Sequence, residues 1–187
     1  TKAGLIWFLF LLFLTQLAVA QNVKYKDIFA LLNSKQYDQA EPFLKRYLEE
    51  NDDNPNAFLF MGIIYNEKIA KDDVLRETDA SIKNMDSAVF FYDKTLKTID
   101  EKEIKRNKEY YQSYNRRDLR TGEFGVKLSD IQFDLEKKIE GLRARINGVK
   151  TTKHYFVLAE SLYQKCNALF VSFQQAFHSE REFLLRA

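Results

Sequence analysis

Beyond the first twenty residues, apolar side chains recur every three or four positions with few interruptions, and that period is the signature of helices. Tyr25, Ile28, Phe29, Leu31 and Leu32 form one stripe, and Tyr37, Ala40, Phe43, Leu44, Tyr47 and Leu48 form the next, with Asn33-Ser34 between them. The polar run from Glu49 to Asn54 ends on Pro55, whose missing N–H and fixed φ mark a helix boundary. A third helix opens over Phe58 to Tyr65. Glu67 to Asn84 reads as an extended helix end plus a loop, and a fourth helix runs from about Met85 to Ile99, with a continuation toward Tyr114 left open. Two Pro and six Gly leave little material for turns. The expected fold is therefore all-α, built of antiparallel helical hairpins. Sixteen Phe and ten Tyr must supply much of its packing.

Arg116 to Gly125, with Gly122 and Gly125, is the best internal boundary. After it, Ser129-Asp130-Ile131-Gln132 has the form of a capping box. Ile131, Leu135, Ile139, Leu142 and Ile146 then make a coiled-coil-like seam, with Leu128 just before them. Gly148 is expected to end that helix and Thr151-Thr152 to cap the next. The latter carries Tyr155, Ala159, Leu162, Cys166, Leu169, Phe173 and Ala176 at the same spacing. Two such helices joined by a short loop are expected to fold back as a long αα-hairpin over 116–187, continuing beyond the chain end.

Residues 1–20 are a separate object. Lys2 precedes an unbroken apolar run from Ala3 to Leu14, and Ala18-Val19-Ala20 follows before Gln21. A positive start, a short apolar stretch and a small-x-small exit are the layout of a secretory signal peptide, cleaved after Ala20. The competing reading is a retained membrane anchor, for which the run is short against the roughly 20 apolar residues of a full span. The expected location is periplasmic or cell-envelope associated, with membrane contact only through an uncleaved leader. A formal net charge of +2 does not call for nucleic acid, and a single cysteine excludes a disulfide-stapled domain.

Self-similarity narrows the fold further. Gln36-Tyr37-Asp38-Gln39-Ala40-Glu41-Pro42-Phe43-Leu44 resembles the second half of a tetratricopeptide repeat (TPR) of the exported bacterial type. Twenty-two residues after Ala40 stands Gly62, with Tyr65 three further on, and Phe58 and Met61 fill the bulky places before that glycine. Met85-Asp86-Ser87-Ala88 echoes Tyr37-Asp38-Gln39-Ala40. The resemblance implies a TPR-like α-solenoid over 21–115, its helices nesting through Ala40, Gly62 and Ala88, with Tyr65 filling the gap beside them. It also implies a concave surface on the first helix of each pair, lined here by Tyr25, Phe29, Asn33, Leu59, Ile63 and Asn66, for a protein or peptide partner. Two departures stand out: Pro55 comes three residues later than the family's proline, and Tyr65 to Ala88 carries an insertion of about 14 residues.

Motifs that carry chemistry are few in this sequence. Gly122 and Gly125 do not introduce a phosphate-binding Lys-Ser or Lys-Thr. No H-E-x-x-H or paired cysteines offer a zinc ligand set. His154 and His178 read as solvent-facing, Cys166 as a small buried thiol on the apolar stripe, and Glu67, Asp72, Asp73 and Glu77 as a solvated acidic patch. In the basic-aromatic stretch from Lys102 to Arg120, Tyr110, Tyr111 and Tyr114 are expected to point inward and the basic groups into water, the alternative being a docking patch for an acidic partner. Neither catalytic residues nor a cofactor are expected. The expected function is a non-enzymatic, exported protein–protein interaction scaffold. The alternative is the extracytoplasmic sensory segment of a longer signal-transduction protein.

Overall fold

The computed structural model describes residues 24–186; the expected leader lies outside the described residues, as does Ala187. The described chain runs through α1 (Tyr25–Asn33), α2 (Tyr37–Glu50), α3 (Pro55–Lys71), α4 (Thr78–Thr98), α5 (Glu101–Arg106), a 3₁₀ segment (Lys108–Tyr114), β1 (Arg116–Arg117), β2 (Phe124–Gly125) and α6 (Leu128–Arg186). The all-α expectation holds, since β1 and β2 only pair two residues apiece, Arg116 with Gly125 and Arg117 with Phe124.

Local chemistry sets the breaks. At the end of α1, Lys35 takes a left-handed φ of 58°, the amide of Gln36 donates to the Leu31 carbonyl and that of Lys35 to Leu32. This six-to-one and five-to-two pair closes the helix and turns the chain into α2. At the start of α3, the Asn54 side chain accepts from the Ala57 amide at 3.0 Å and Pro55 occupies the first helical position, where no N–H is needed. Asp100 ends any continuation of α4, because its carboxylate accepts from the Glu103 amide at 2.7 Å and starts α5 afresh.

The helices pack as two successive hairpins, α1 against α2 and α3 against α4, with α2 also touching α3. Tyr25 bonds to Asn56 and Phe29 rests on Phe60, the same offset of 31 residues, so α1 and α3 run parallel and side by side. α3 is buried on two sides. Ala57, Met61 and Ile64 join Ile28, Leu32, Ala40 and Leu44 in one core, while Leu59 and Ile69 join Met85, Ala88 and Tyr92 in a second. α6 completes that second core with Ile131, Leu135, Ile139, Leu142 and Ile146. It lies antiparallel to α4, as the ion pairs Arg143–Asp93 and Lys153–Asp79 show. Each fully buried aliphatic side chain contributes about 1.5–3 kcal/mol through removal from water.

Several expectations need correction. The region from 128 onward is one helix of 59 residues, not a hairpin. Gly148 keeps helical backbone within it, since one glycine costs only about 1 kcal/mol against alanine in a helix interior. Thr152 does not cap: its hydroxyl donates back to the Gly148 carbonyl at 2.9 Å, the bond a threonine makes in mid-helix. Nor does Ser129 cap. The Asp130 and Ile131 amides bond to the Lys127 carbonyl, which places Ser129 inside the first turn. The insertion between Tyr65 and Ala88 lengthens both α3 and α4, leaving a loop only over 72–77.

Candidate interaction surfaces

The small residues Ala40, Gly62 and Ala88 are buried. Ala40 and Ala88 are fully buried. Gly62 faces the Tyr92 ring so closely that a Cβ there would lie 2.4 Å from two of its carbons. Tyr65 stacks on Phe91 at 5.8 Å and 10° between planes. The ammonium groups of Lys68 and Lys45 stand 5.1 and 5.9 Å from its ring centre, and both are paired to Glu41 at 2.7 Å. Burial alone would raise the Glu41 carboxyl, but hydrogen bonds from the two lysines outweigh it and hold it below its ordinary value.

Of the six residues expected on the first-helix face, the structure leaves four at the surface. Asn33 and Asn66 are exposed, and Phe29 and Ile63 are half-buried. Tyr25 and Leu59 are buried and line no surface. Tyr25 lies beside Phe29 but is covered by Tyr110, and Leu59 belongs to the core that α3 forms with α4 and α6.

The chain places its own residues on part of that face. The Tyr110 ring sits 4.6 Å from Phe29 and edge-on to Tyr25 at 5.2 Å, and the buried Asn56 side chain donates to the Tyr110 carbonyl at 3.1 Å. Tyr111 donates to Glu103 at 3.2 Å and Tyr114 to Asp134 at 2.7 Å. The 3₁₀ segment is thus fastened to α3, α5 and α6. Burial pushes the Tyr25, Tyr111 and Tyr114 phenols well above their usual value, with the adjacent carboxylates adding to the shift at Tyr111 and Tyr114. As expected, Tyr111 and Tyr114 are buried and Tyr110 half-buried, while Lys102, Lys105, Arg106, Lys108, Arg116, Arg117 and Arg120 are in water. The strap across α1 and α3 was not expected. Its one sequence signal is Asn56, a polar residue that the structure buries completely.

The acidic patch has structural duties. Asp72 accepts from Ser81 and Asn84, and Asp73 from the Leu75 and Arg76 amides. The turn between β1 and β2 is fixed by Asp118, which accepts from the Arg120 and Thr121 amides and pairs with Lys127. Those bonds hold its carboxyl down at about 2. Gly122 supplies the φ of +77° that the turn requires.

Past Lys150, every residue of α6 whose side chain is described is exposed. Cys166 is exposed as well, against the expectation of a buried thiol, because no described residue packs on its stripe. His154 and His178 are exposed. Where α6 leaves the body, Val74, Leu75, Thr78, Val149, Phe156 and Val157 line a largely apolar groove of about 810 Å³. Among the described residues there is no cluster of metal ligands, and no helix is long and apolar enough to cross a membrane. These surfaces and the paired helices define an all-helical protein with two core clusters and one long outward helix. Comparison with protein-family models, with curated proteins and with solved structures finds no match in any of the three.

Proposed function

We propose that this chain is a non-enzymatic scaffold of TPR-like helical pairs that holds a protein or peptide partner in the cell envelope. The observation that carries the reading is the burial of Ala40, Gly62 and Ala88 within the packed pairs α1/α2 and α3/α4, with α1 and α3 side by side. Helical pairs stacked in this way present their first helices as one shared surface. Phe29, Ile63, Asn33 and Asn66 supply it with apolar and amide groups, the mixture that reads an extended peptide by contact and hydrogen bond. The envelope location rests on the leader sequence ending at Ala18-Val19-Ala20.

The test is a pull-down from the native envelope. Asn33→Ala combined with Asn66→Ala should lower partner recovery at least several-fold while circular dichroism keeps its helical signal. Full recovery with the double variant would remove these amides from the binding surface. The alternative, a sensory segment of a signalling protein, draws support from the 59-residue α6, which runs without a break from the core outward and could carry a displacement along its axis. Reading the full gene decides between the two, since the sensory reading requires a membrane span and a signalling domain after Ala187.

A further inference from the structure

Between β1 and β2 the chain holds an apolar side chain out in water. Leu119, in the turn, is 101% exposed, more than any other large apolar side chain described, and Phe124 on β2 is 68% exposed. Hydrogen bonds fix the turn that carries Leu119. The Asp118 amide donates to the Glu123 carbonyl and the Gly122 amide to the Asp118 carbonyl, both at 2.8 Å. The Asp118 carboxylate accepts from the Arg120 and Thr121 amides at 2.8 and 3.1 Å and also pairs with Lys127.

Arginine stands around that tip. Arg117 is the cross-strand partner of Phe124, so the two side chains share a face of the hairpin. Its Nε donates to the Gly122 carbonyl at 3.2 Å, which brings the guanidinium to the turn. Arg120 follows Leu119 directly. Among the described residues neither guanidinium is paired with a carboxylate. Of the two acids in the hairpin, Asp118 is taken up by Lys127 and the turn amides, which leaves Glu123. Arg116 lies on the other face, close enough to Asp134 to help hold its carboxyl down. The basic excess extends along the chain: Lys102 to Lys127 has eight Lys and Arg against four Asp and Glu, in a protein whose formal net charge is only +2.

We infer that the β1–β2 hairpin docks on a membrane surface of anionic lipid, Leu119 and Phe124 entering the interfacial layer while Arg117 and Arg120 bind lipid phosphates.

Charge and area select that occupant. The tip is cationic, so its complement is anionic. A guanidinium presents planar, paired donors that match a phosphate, and it is weakly hydrated, which suits a headgroup layer. The apolar surface is confined to two side chains. They offer about 300 Å² on typical side-chain areas, well below the roughly 800 Å² that each partner gives a standard protein interface. An anionic bilayer offers about 5–10 Å of apolar depth beneath its phosphates, with no need for a shaped pocket. Each arginine near such a surface strengthens binding roughly fivefold. Distal α6, which also exposes apolar side chains, lacks this combination, since between Lys165 and Glu180 it has neither Lys nor Arg. The inference does not depend on the TPR-like reading of α1 to α4, and its test does not involve their surface.

The test is made on the full chain carrying Cys166→Ser and an environment-sensitive fluorophore attached through Thr121→Cys, an exposed position beside the tip. This label reports on the hairpin itself, whatever else of the chain meets lipid. Vesicles of phosphatidylcholine with about one quarter phosphatidylglycerol should shift its emission to the blue, and phosphatidylcholine alone should not. Raising the salt to about 0.5 M should weaken the effect. Arg117→Gln with Arg120→Gln should raise the lipid concentration needed about 25-fold, at roughly fivefold for each arginine. Leu119→Ser with Phe124→Ser should abolish the shift, while Leu169→Ser with Phe173→Ser on α6 should leave it in place. Circular dichroism should be the same for every variant, because all six positions are exposed. An emission that does not move on anionic vesicles overturns the inference. So does one that moves equally on neutral vesicles, survives the loss of Leu119 and Phe124, or follows the α6 pair instead. A shift produced by polyglutamate and not by vesicles also overturns it, and would make the occupant an acidic polypeptide.

Discussion

Gly62 does what only a residue without a side chain can do at that point. The Tyr92 ring occupies the space of its absent Cβ, and both residues are buried. Gly62→Ala must push Tyr92 or separate α3 from α4, at a cost of about 1–3 kcal/mol for overpacking a closed site. Denaturant unfolding checks this, and pairing the change with Tyr92→Leu should recover part of the loss. Lys35 is the opposite case. It holds a left-handed φ of 58° in the α1–α2 turn, a conformation that costs a side-chain-bearing residue about 1 kcal/mol. Lys35→Gly should therefore raise stability by up to about 1 kcal/mol. A drop in the unfolding midpoint would mean that the turn is held otherwise. Asn56 is the residue whose loss reaches furthest. Asn56→Leu leaves the Tyr25 hydroxyl and the Tyr110 carbonyl without their partner, which predicts a loss of about 1–3 kcal/mol and faster amide exchange in the 3₁₀ segment.

Among the elements, α6 most separates pattern from outcome. Gly148, Thr151 and Thr152 together look like a helix end and a helix start, and local chemistry alone gives no means to refuse that reading. What refuses it is strength: the helix formers on both sides outweigh one glycine, and the Thr152 hydroxyl satisfies itself on the preceding turn. The two readings predict opposite signs for Gly148→Ala. A Cβ there meets nothing within 4 Å, so in a continuous helix the change should stabilise by about 0.5–1 kcal/mol. A glycine turning the chain at a left-handed φ would instead make the alanine destabilising. The same contrast explains Cys166. Its position on an apolar stripe was legible, but whether the stripe has a neighbour is a matter of where α4 ends.

For the molecule as a whole, the sequence was readable wherever burial follows a short period: the stripes of α1, α2 and α4, the helix boundary at Pro55, and the buried small residues Ala40, Gly62 and Ala88. It was not readable where the contact is distant in the chain. Tyr110 reaches α1 and α3 across more than fifty residues, and no local pattern announces it. The closed set of buried tyrosines has a consequence for pH. Burial raises the phenols of Tyr25, Tyr92, Tyr111 and Tyr114 in the folded state, while in the unfolded chain they ionise near pH 10. The unfolded state therefore releases protons first. Stability should be complete below about pH 10 and fall as the pH rises beyond it, as urea midpoints at pH 8 and pH 10.5 would show. An unchanged midpoint would mean that these rings reach water.

The path of α6 decides both what the body can dock and what projects from it, and one distance measures that path. With Cys166 replaced by serine, spin labels at the exposed positions Glu140 and Gln164, diluted in unlabelled protein, report it by electron–electron double resonance. A helix that runs straight through Gly148 puts them about 36 Å apart at 1.5 Å per residue. A chain folded back near Gly148 would bring them within about 20 Å, at the spacing of neighbouring helices, and that result would contradict the single outward helix described above.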